Sequence, residues 1–191
     1  MNRLSRPRPG RADYAIRRPI ALVGLMGAGK TSVGRRLARR LGLPFADADS
    51  EIEAAAGRSV ADIFDELGEK AFRDGERKVI ARLLDGPTKV LATGGGAFID
   101  EACRALLLER ATVIWLRAEL EVLLDRVARR DTRPLLRGGD RRAILQKLLS
   151  VREPIYAQAH LTVDSCEGPH EKTVSAILEA LEEAGVARKD P

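Results

Sequence analysis

One octapeptide narrows the choice of fold more than any other feature of the chain. Gly24-Leu-Met-Gly27-Ala-Gly29-Lys30-Thr31 fits the pattern GxxxxGK[ST] at every specified position. Glycines let the backbone curl so that successive N–H groups face one anion, and a helix opening where the curl ends adds its positive pole. In such a loop the lysine reaches the β- and γ-phosphates of a nucleotide, and the Ser/Thr hydroxyl serves Mg²⁺. The context is the one this loop requires. Residues 20–23 (IALV) read as a strand, and residues 31–41 read as a helix with Val33, Leu37 and Leu41 on one face, stopped by Gly42 and Pro44. Gly27, Ala28, Gly29, Lys30, Thr31 and Ser32 are therefore the candidate ATP-phosphate contacts, with Thr31 a candidate metal ligand.

The rest of the chain alternates short apolar runs with helical patterns, which signals βαβ units and a parallel sheet. Strands are expected at 20–23, 45–46, 89–92, 112–116 and 161–163. Helices are expected at 31–41, 50–56, 60–67, 69–84, 100–108, 120–129 and 143–157, and from about 171 onward. Ser59, with Asp62 three residues on, suits a helix start. The expectation is a three-layer α/β P-loop NTPase fold, a five-stranded parallel sheet flanked by helices, in one domain over residues 19–187.

Charge and composition exclude several function classes. The net charge of +5 resides in residues 1–18, where six arginines face a single acid, Asp13; the remainder holds 27 basic and 27 acidic side chains. The high pI thus describes an arm and not a basic binding face. With Pro7, Pro9 and Gly10 and no apolar periodicity, residues 1–18 are expected to be a disordered tail. Aromatics make up 4% of the chain, leaving few platforms for base stacking, so no nucleic-acid partner is expected. The longest apolar run, residues 20–28, is far short of the roughly 20 residues of a membrane span. Two cysteines, Cys103 and Cys166, lack metal or redox spacing and read as free thiols of a reducing compartment.

Several P-loop classes can be separated by their other parts. Guanine-specific switch proteins need an NKxD element, and the only asparagine is Asn2. The strand at 89–92 ends in Gly94-Gly95-Gly96 instead of an acid, so the carboxylate for the metal must come from elsewhere. Asp47 and Asp49 follow the second strand near the carboxyl-end crevice where such sheets bind ligands. Two apart in extended chain, they are expected to point the same way, and form either a solvated turn with a helix N-cap or a pair in which one assists Mg²⁺ and the other meets the substrate. The glycine triplet suits backbone approach to a ligand. Arg73 and Glu76, three apart on a helix, form either a surface ion pair or an arginine aimed at an anion. Arg129-Arg-Asp-Thr-Arg133-Pro-Leu-Leu-Arg137-Gly-Gly is either a solvated loop or a lid whose arginine closes on a phosphoryl group.

Taken together, the phosphate loop, Phe45-Ala-Asp47-Ala-Asp49, Ile63-Phe64, Phe72-Arg73 with Glu76, Gly94-Gly95-Gly96, Arg133-Pro-Leu-Leu and Arg152-Glu-Pro-Ile-Tyr156 resemble the shikimate kinase family in order and spacing from about residue 20 to 165. The resemblance implies a nucleoside-monophosphate-kinase-like fold with a substrate-binding segment at about 47–80 and a lid at about 130–142. It implies ATP-dependent phosphorylation of shikimate to shikimate 3-phosphate, with Mg²⁺, in a cytoplasmic enzyme of aromatic amino-acid biosynthesis. Lys30 would stabilise the moving phosphoryl group, Asp47 would hold the metal, and Asp49 would orient or deprotonate the attacking hydroxyl. Arg73 and Arg152 would pair with the shikimate carboxylate, Glu76 fixing Arg73, while Gly94, Gly95 and Gly96 would offer backbone contacts. Phe64 and Phe72 would wall the pocket, or belong to the core. Arg133 would be the lid arginine, and Arg126 would lie against adenine. Residues 165–169 lack the basic residues some members carry there and receive no role. A monomer is expected, because the chemistry requires no partner residue.

Overall fold

A computed structural model describes residues 14–128 and 140–189. The central sheet is parallel throughout, in the order β3 (Phe45–Asp47), β4 (Val90–Ala92), β2 (Ile20–Val23), β5 (Thr112–Arg117), β6 (Leu161–Asp164). Strands buried on both faces should be continuously apolar, and β2 and β4 have every residue buried. Each strand of the expected five is present.

The helices are α1 (Lys30–Leu41), α2 (Ala48–Ala56), α3 (Val60–Asp85), α4 (Glu101–Arg110), α5 (Leu120–Ala128), α6 (Arg141–Tyr156) and α7 (His170–Glu183). α1 packs on α7, α3 on α4, and α5 on α6. α3 opens with a full capping box: the Ser59 hydroxyl accepts from the Asp62 N–H at 3.1 Å, and the Asp62 carboxylate accepts from the Ser59 N–H at 3.3 Å. Within it, Gly68 departs from helical geometry (φ 79°, ψ 169°), which is the break expected between residues 67 and 69.

Two apolar clusters divide the molecule. The larger one lies on both faces of the sheet. The smaller comprises Ile52, Ile63 and Phe72 with Val60, Phe64 and Val79 packed against it, and so belongs to α2 and α3 alone. Val79 touches both clusters.

The amino-terminal expectation requires correction. Residues 1–18 are not uniformly a disordered tail: β1 (Tyr14–Ile16) pairs antiparallel with β7 (Ala187–Lys189), and neither strand was expected. The Tyr14 hydroxyl donates to Glu182 at 3.0 Å, and Arg18 donates to the Glu109 carbonyl. The domain therefore takes in residues 14–18, which were expected to belong to the tail. Residues 1–13 lie outside the described residues, as does 129–139, which contains Arg133 and nearly all of the expected lid.

Candidate active site

Three strand ends build the floor of the site. β2 delivers residues 24–29, β3 delivers Asp47, and β4 delivers Thr93 and the glycine triplet. Neighbouring strands place these carboxyl ends side by side, at the crevice such sheets use for ligands.

The loop after β2 owes its shape to its glycines. Gly24, Gly27 and Gly29 have φ of 138°, 83° and 92°, and a Cβ on Gly24 would come within 2.6 Å of the Leu116 carbonyl oxygen. Gly29 caps α1 with no side-chain cap, so the first N–H groups of the helix face the loop's concavity. Lys30 is buried, and its ammonium donates to the carbonyls of Gly24 at 2.7 Å and Leu25 at 3.1 Å. The Thr31 hydroxyl donates to the Asp47 carboxylate at 2.7 Å. A hydroxyl and a carboxylate oxygen side by side at the end of a phosphate loop are hard donors, and they fit Mg²⁺ completed by phosphate oxygens.

Asp49 reaches the same cavity by a different route from the one expected. Asp47 ends β3, but Asp49 lies in the first turn of α2 and not in extended chain. Alternation along a strand therefore does not align the two carboxylates; the strand-to-helix turn does. Both line a cavity of about 640 Å³ together with Gly27, Gly29, Lys30, Thr31, Ser32, Gly95 and Arg126.

The glycine triplet forms the junction with a second cluster of charged groups. Arg73 donates to Glu76 at 2.6 Å, and Glu76 is only 1% exposed, so the pair is not a surface ion pair. Phe64 and Phe72 do not merely fill the small core. The Arg73 guanidinium lies 5.8 and 5.1 Å from their ring centroids, so two aromatic faces and a carboxylate hold it. Burial raises the Glu76 carboxyl above its ordinary 4.5, the Arg73 charge opposing. Glu76 Oε1 is buried with no hydrogen-bond partner among the described residues. It points at Gly94: a Cβ there would lie 2.9 Å from it and 2.7 Å from Asp49 Oδ1. At Gly96 a Cβ would lie 2.8 Å from the Arg73 guanidinium carbon. Only glycines allow this approach of backbone to two carboxylates and a guanidinium. From the other side, Arg152 donates to the Gly95 carbonyl at 3.3 Å. Arg73, Gly94, Gly96 and Arg152 thus gather at the triplet, and the large cavity reaches it through Gly95.

At the opposite end, Arg126 donates to Ala28 O at 3.3 Å, Ser165 Oγ at 2.9 Å and Cys166 O at 2.7 Å. Glu167, Gly168 and His170 line the cavity beside it. Sequence reasoning missed this segment because it looked for basic residues. Its usable signal was a Gly168 (φ 104°) between a strand and a helix. Thr93, Asp125 and Tyr156 were missed as well: the first two line the cavity, and the Tyr156 hydroxyl donates to Gly95 O at 2.6 Å.

Comparison with known proteins shows the family. The shikimate kinase family model matches residues 26–182. The shikimate kinase of Caulobacter vibrioides is 60% identical over 165 residues, covering 86% of this chain and 82% of that protein. That of Paramagnetospirillum magneticum is 58% identical over 166 residues, covering 87% and 85%. Among solved structures, shikimate kinase from Acinetobacter baumannii in complex with shikimate superposes with a TM-score of 0.83 at 39% identity, covering 87% of this chain and 94% of that one. A gluconokinase from Sinorhizobium meliloti, at 21% identity and a TM-score of 0.61 over 88% and 95% of the two chains, shares the fold alone. With its phosphate loop, its paired Thr31 and Asp47, and its arginine–glutamate pair at the glycine triplet, this chain belongs to the shikimate kinase family.

Proposed function

We propose that the chain transfers the γ-phosphoryl group of ATP to a ring hydroxyl of shikimate, with the phosphates in the loop after β2 and the acceptor at the glycine triplet. One observation carries the reading: a single cavity runs from the Lys30 ammonium past Asp49 to Gly95, where the Arg73–Glu76 pair closes on the neighbouring glycines.

Phosphoryl transfer passes through a loose transition state, so the protein chiefly positions and neutralises. The loop N–H groups and Lys30 hold the β- and γ-phosphates and offset the charge that moves onto them. Thr31 and Asp47 are the residues that would hold Mg²⁺, which would supply positive charge to neutralise the phosphates. Asp49 accepts the hydrogen of the attacking hydroxyl and keeps its oxygen in line. Arg73, aimed by Glu76 and two rings, forks onto the acceptor carboxylate, and Arg152 approaches it from the opposite side. The Gly94–Gly96 backbone offers N–H groups to the hydroxyls. Arg126 flanks the purine. The protein acts as a cytoplasmic monomer.

The test is ADP release from Mg·ATP with shikimate, gluconate or nucleoside monophosphates as acceptor. Release with shikimate alone supports the reading. Release with another acceptor keeps the kinase and overturns the roles of Arg73 and Arg152. Deleting residues 1–13, which spares β1, should leave activity intact.

A further inference from the structure

Beneath the glycine triplet lies an aromatic stack that the reaction as described does not use. Tyr156, the last residue of α6, is 1% exposed, with its ring parallel-stacked near Phe98 (centroids 6.4 Å) and Trp115 (5.9 Å). Phe98 follows the triplet and Trp115 belongs to β5, so the ring joins three elements. Filling a core needs no hydroxyl. This hydroxyl nevertheless makes a 2.6 Å bond to the Gly95 carbonyl, the same oxygen that accepts from Arg152 one helical turn earlier. Burial pushes the Tyr156 phenol up to about 12, so it stays a donor at any working pH.

Gly95 is the pivot between the two ends of the site. A Cβ on it would lie 3.6 Å from the Met26 N–H nitrogen of the phosphate loop, and its neighbours Gly94 and Gly96 abut Asp49, Glu76 and Arg73. Glycine confers no rigidity of its own; turn bonds from Ala97 and Ile99 hold the carbonyls of Gly94 and Gly96, and the Gly95 carbonyl between them is held by the side chains of Tyr156 and Arg152. A carbonyl held by a buried phenol cannot turn. The N–H of Gly96, antiparallel to that carbonyl in the same peptide plane, is fixed with it.

We infer that Tyr156 is a positioning residue for the acceptor: its hydroxyl locks the Gly95–Gly96 peptide, and so aims the Gly96 N–H and the adjacent Arg152 at the substrate. Arg152 has five N–H donors and places one on Gly95. With Tyr156 satisfying that carbonyl, Arg152 can turn its fork to a carboxylate without leaving the partly buried oxygen unpaired. The inference rests on the acceptor reading given above.

The experiment is steady-state kinetics of Tyr156→Phe, Tyr156→Leu and Arg152→Ala, with both substrates varied and melting followed alongside. The phenylalanine keeps the stacked ring and removes only the bond. It should raise the shikimate KM about tenfold, the worth of one well-made hydrogen bond, with ATP KM and melting nearly unchanged. The leucine, which removes the ring too, should add a lowered melting temperature. A Tyr156→Phe enzyme with normal KM for shikimate, beside an Arg152→Ala enzyme with a raised one, overturns the positioning role alone. Equal rises for both substrates with lowered melting would make Tyr156 structural and overturn it also. A normal shikimate KM in Arg152→Ala overturns the acceptor reading and this inference with it.

Discussion

The two ends of the site are made of different material. The phosphate end is built on backbone: one contiguous loop whose shape follows from three left-handed glycines and from the start of α1, which has no side-chain cap, with Lys30 and the Thr31–Asp47 pair set into it. The end proposed for the acceptor depends chiefly on side chains, gathered from α2 (Asp49), α3 (Arg73, Glu76) and α6 (Arg152, Tyr156) around a glycine triplet after β4. A nucleotide phosphate is common to many reactions, and a short local motif suffices to hold it. An acceptor is particular to one, and its recognition is distributed over elements that the fold brings together. Much of that distributed end also rests on the small cluster of α2 and α3, separate from the main core.

Asp49→Asn should have the largest effect. If Asp49 takes the hydroxyl's hydrogen as proposed, its removal should cost about 10²–10⁴ in kcat, with ATP affinity kept. Single-turnover rates check it, and a near-normal rate would dissolve the distinction between the ends at its meeting point. Glu76→Gln comes next. It leaves Arg73 with a weaker, neutral acceptor, and the shikimate KM should rise about 10–30-fold while ATP KM holds. The same variant has a signature in pH. Burial raises the Glu76 carboxyl above 4.5, so the folded protein keeps that proton to higher pH than the unfolded chain does. Wild-type stability should therefore fall relative to Glu76→Gln as pH climbs above the ordinary carboxylate range. Urea titrations at about pH 5 and pH 7 read the difference, and an unchanged gap would mean that Glu76 is ionised in both states. Gly94→Ala should be smallest. Its methyl would press on Asp49 and Glu76 at 2.7 and 2.9 Å, costing about 1–3 kcal/mol of stability, with a few-fold rise in shikimate KM and no change at the phosphate end.

The same difference decides what could be read in advance. The phosphate loop, the five strands and the break at Gly68 are written in contiguous residues and were legible from pattern alone. The acceptor end was legible only through resemblance, because Arg73 with Glu76 is indistinguishable by spacing from an exposed ion pair; what separates the two is the 1% exposure of Glu76, a tertiary fact. Asp47 and Asp49 meet the cavity as expected but by a strand-to-helix turn, since the first turn of α2 begins at Ala48. Tyr156 read as an unremarked member of a motif because nothing in the chain reports where a phenol points. The strand Tyr14–Ile16 was hidden for another reason: three residues among arginines carry no periodicity, and the partner that orders them, β7, lies at the far end of the chain.

The division between the two ends is tested most directly by a crossed pair of variants, Arg73→Ala and Arg126→Ala, each assayed with ATP and shikimate varied in turn. Arg73→Ala should raise the shikimate KM about 100-fold, the cost of removing one member of a partly buried charge pair, and leave the ATP KM within about twofold. Arg126→Ala should do the reverse, raising the ATP KM alone. Equal changes for both substrates in either variant, or an unchanged shikimate KM in Arg73→Ala, would contradict the account.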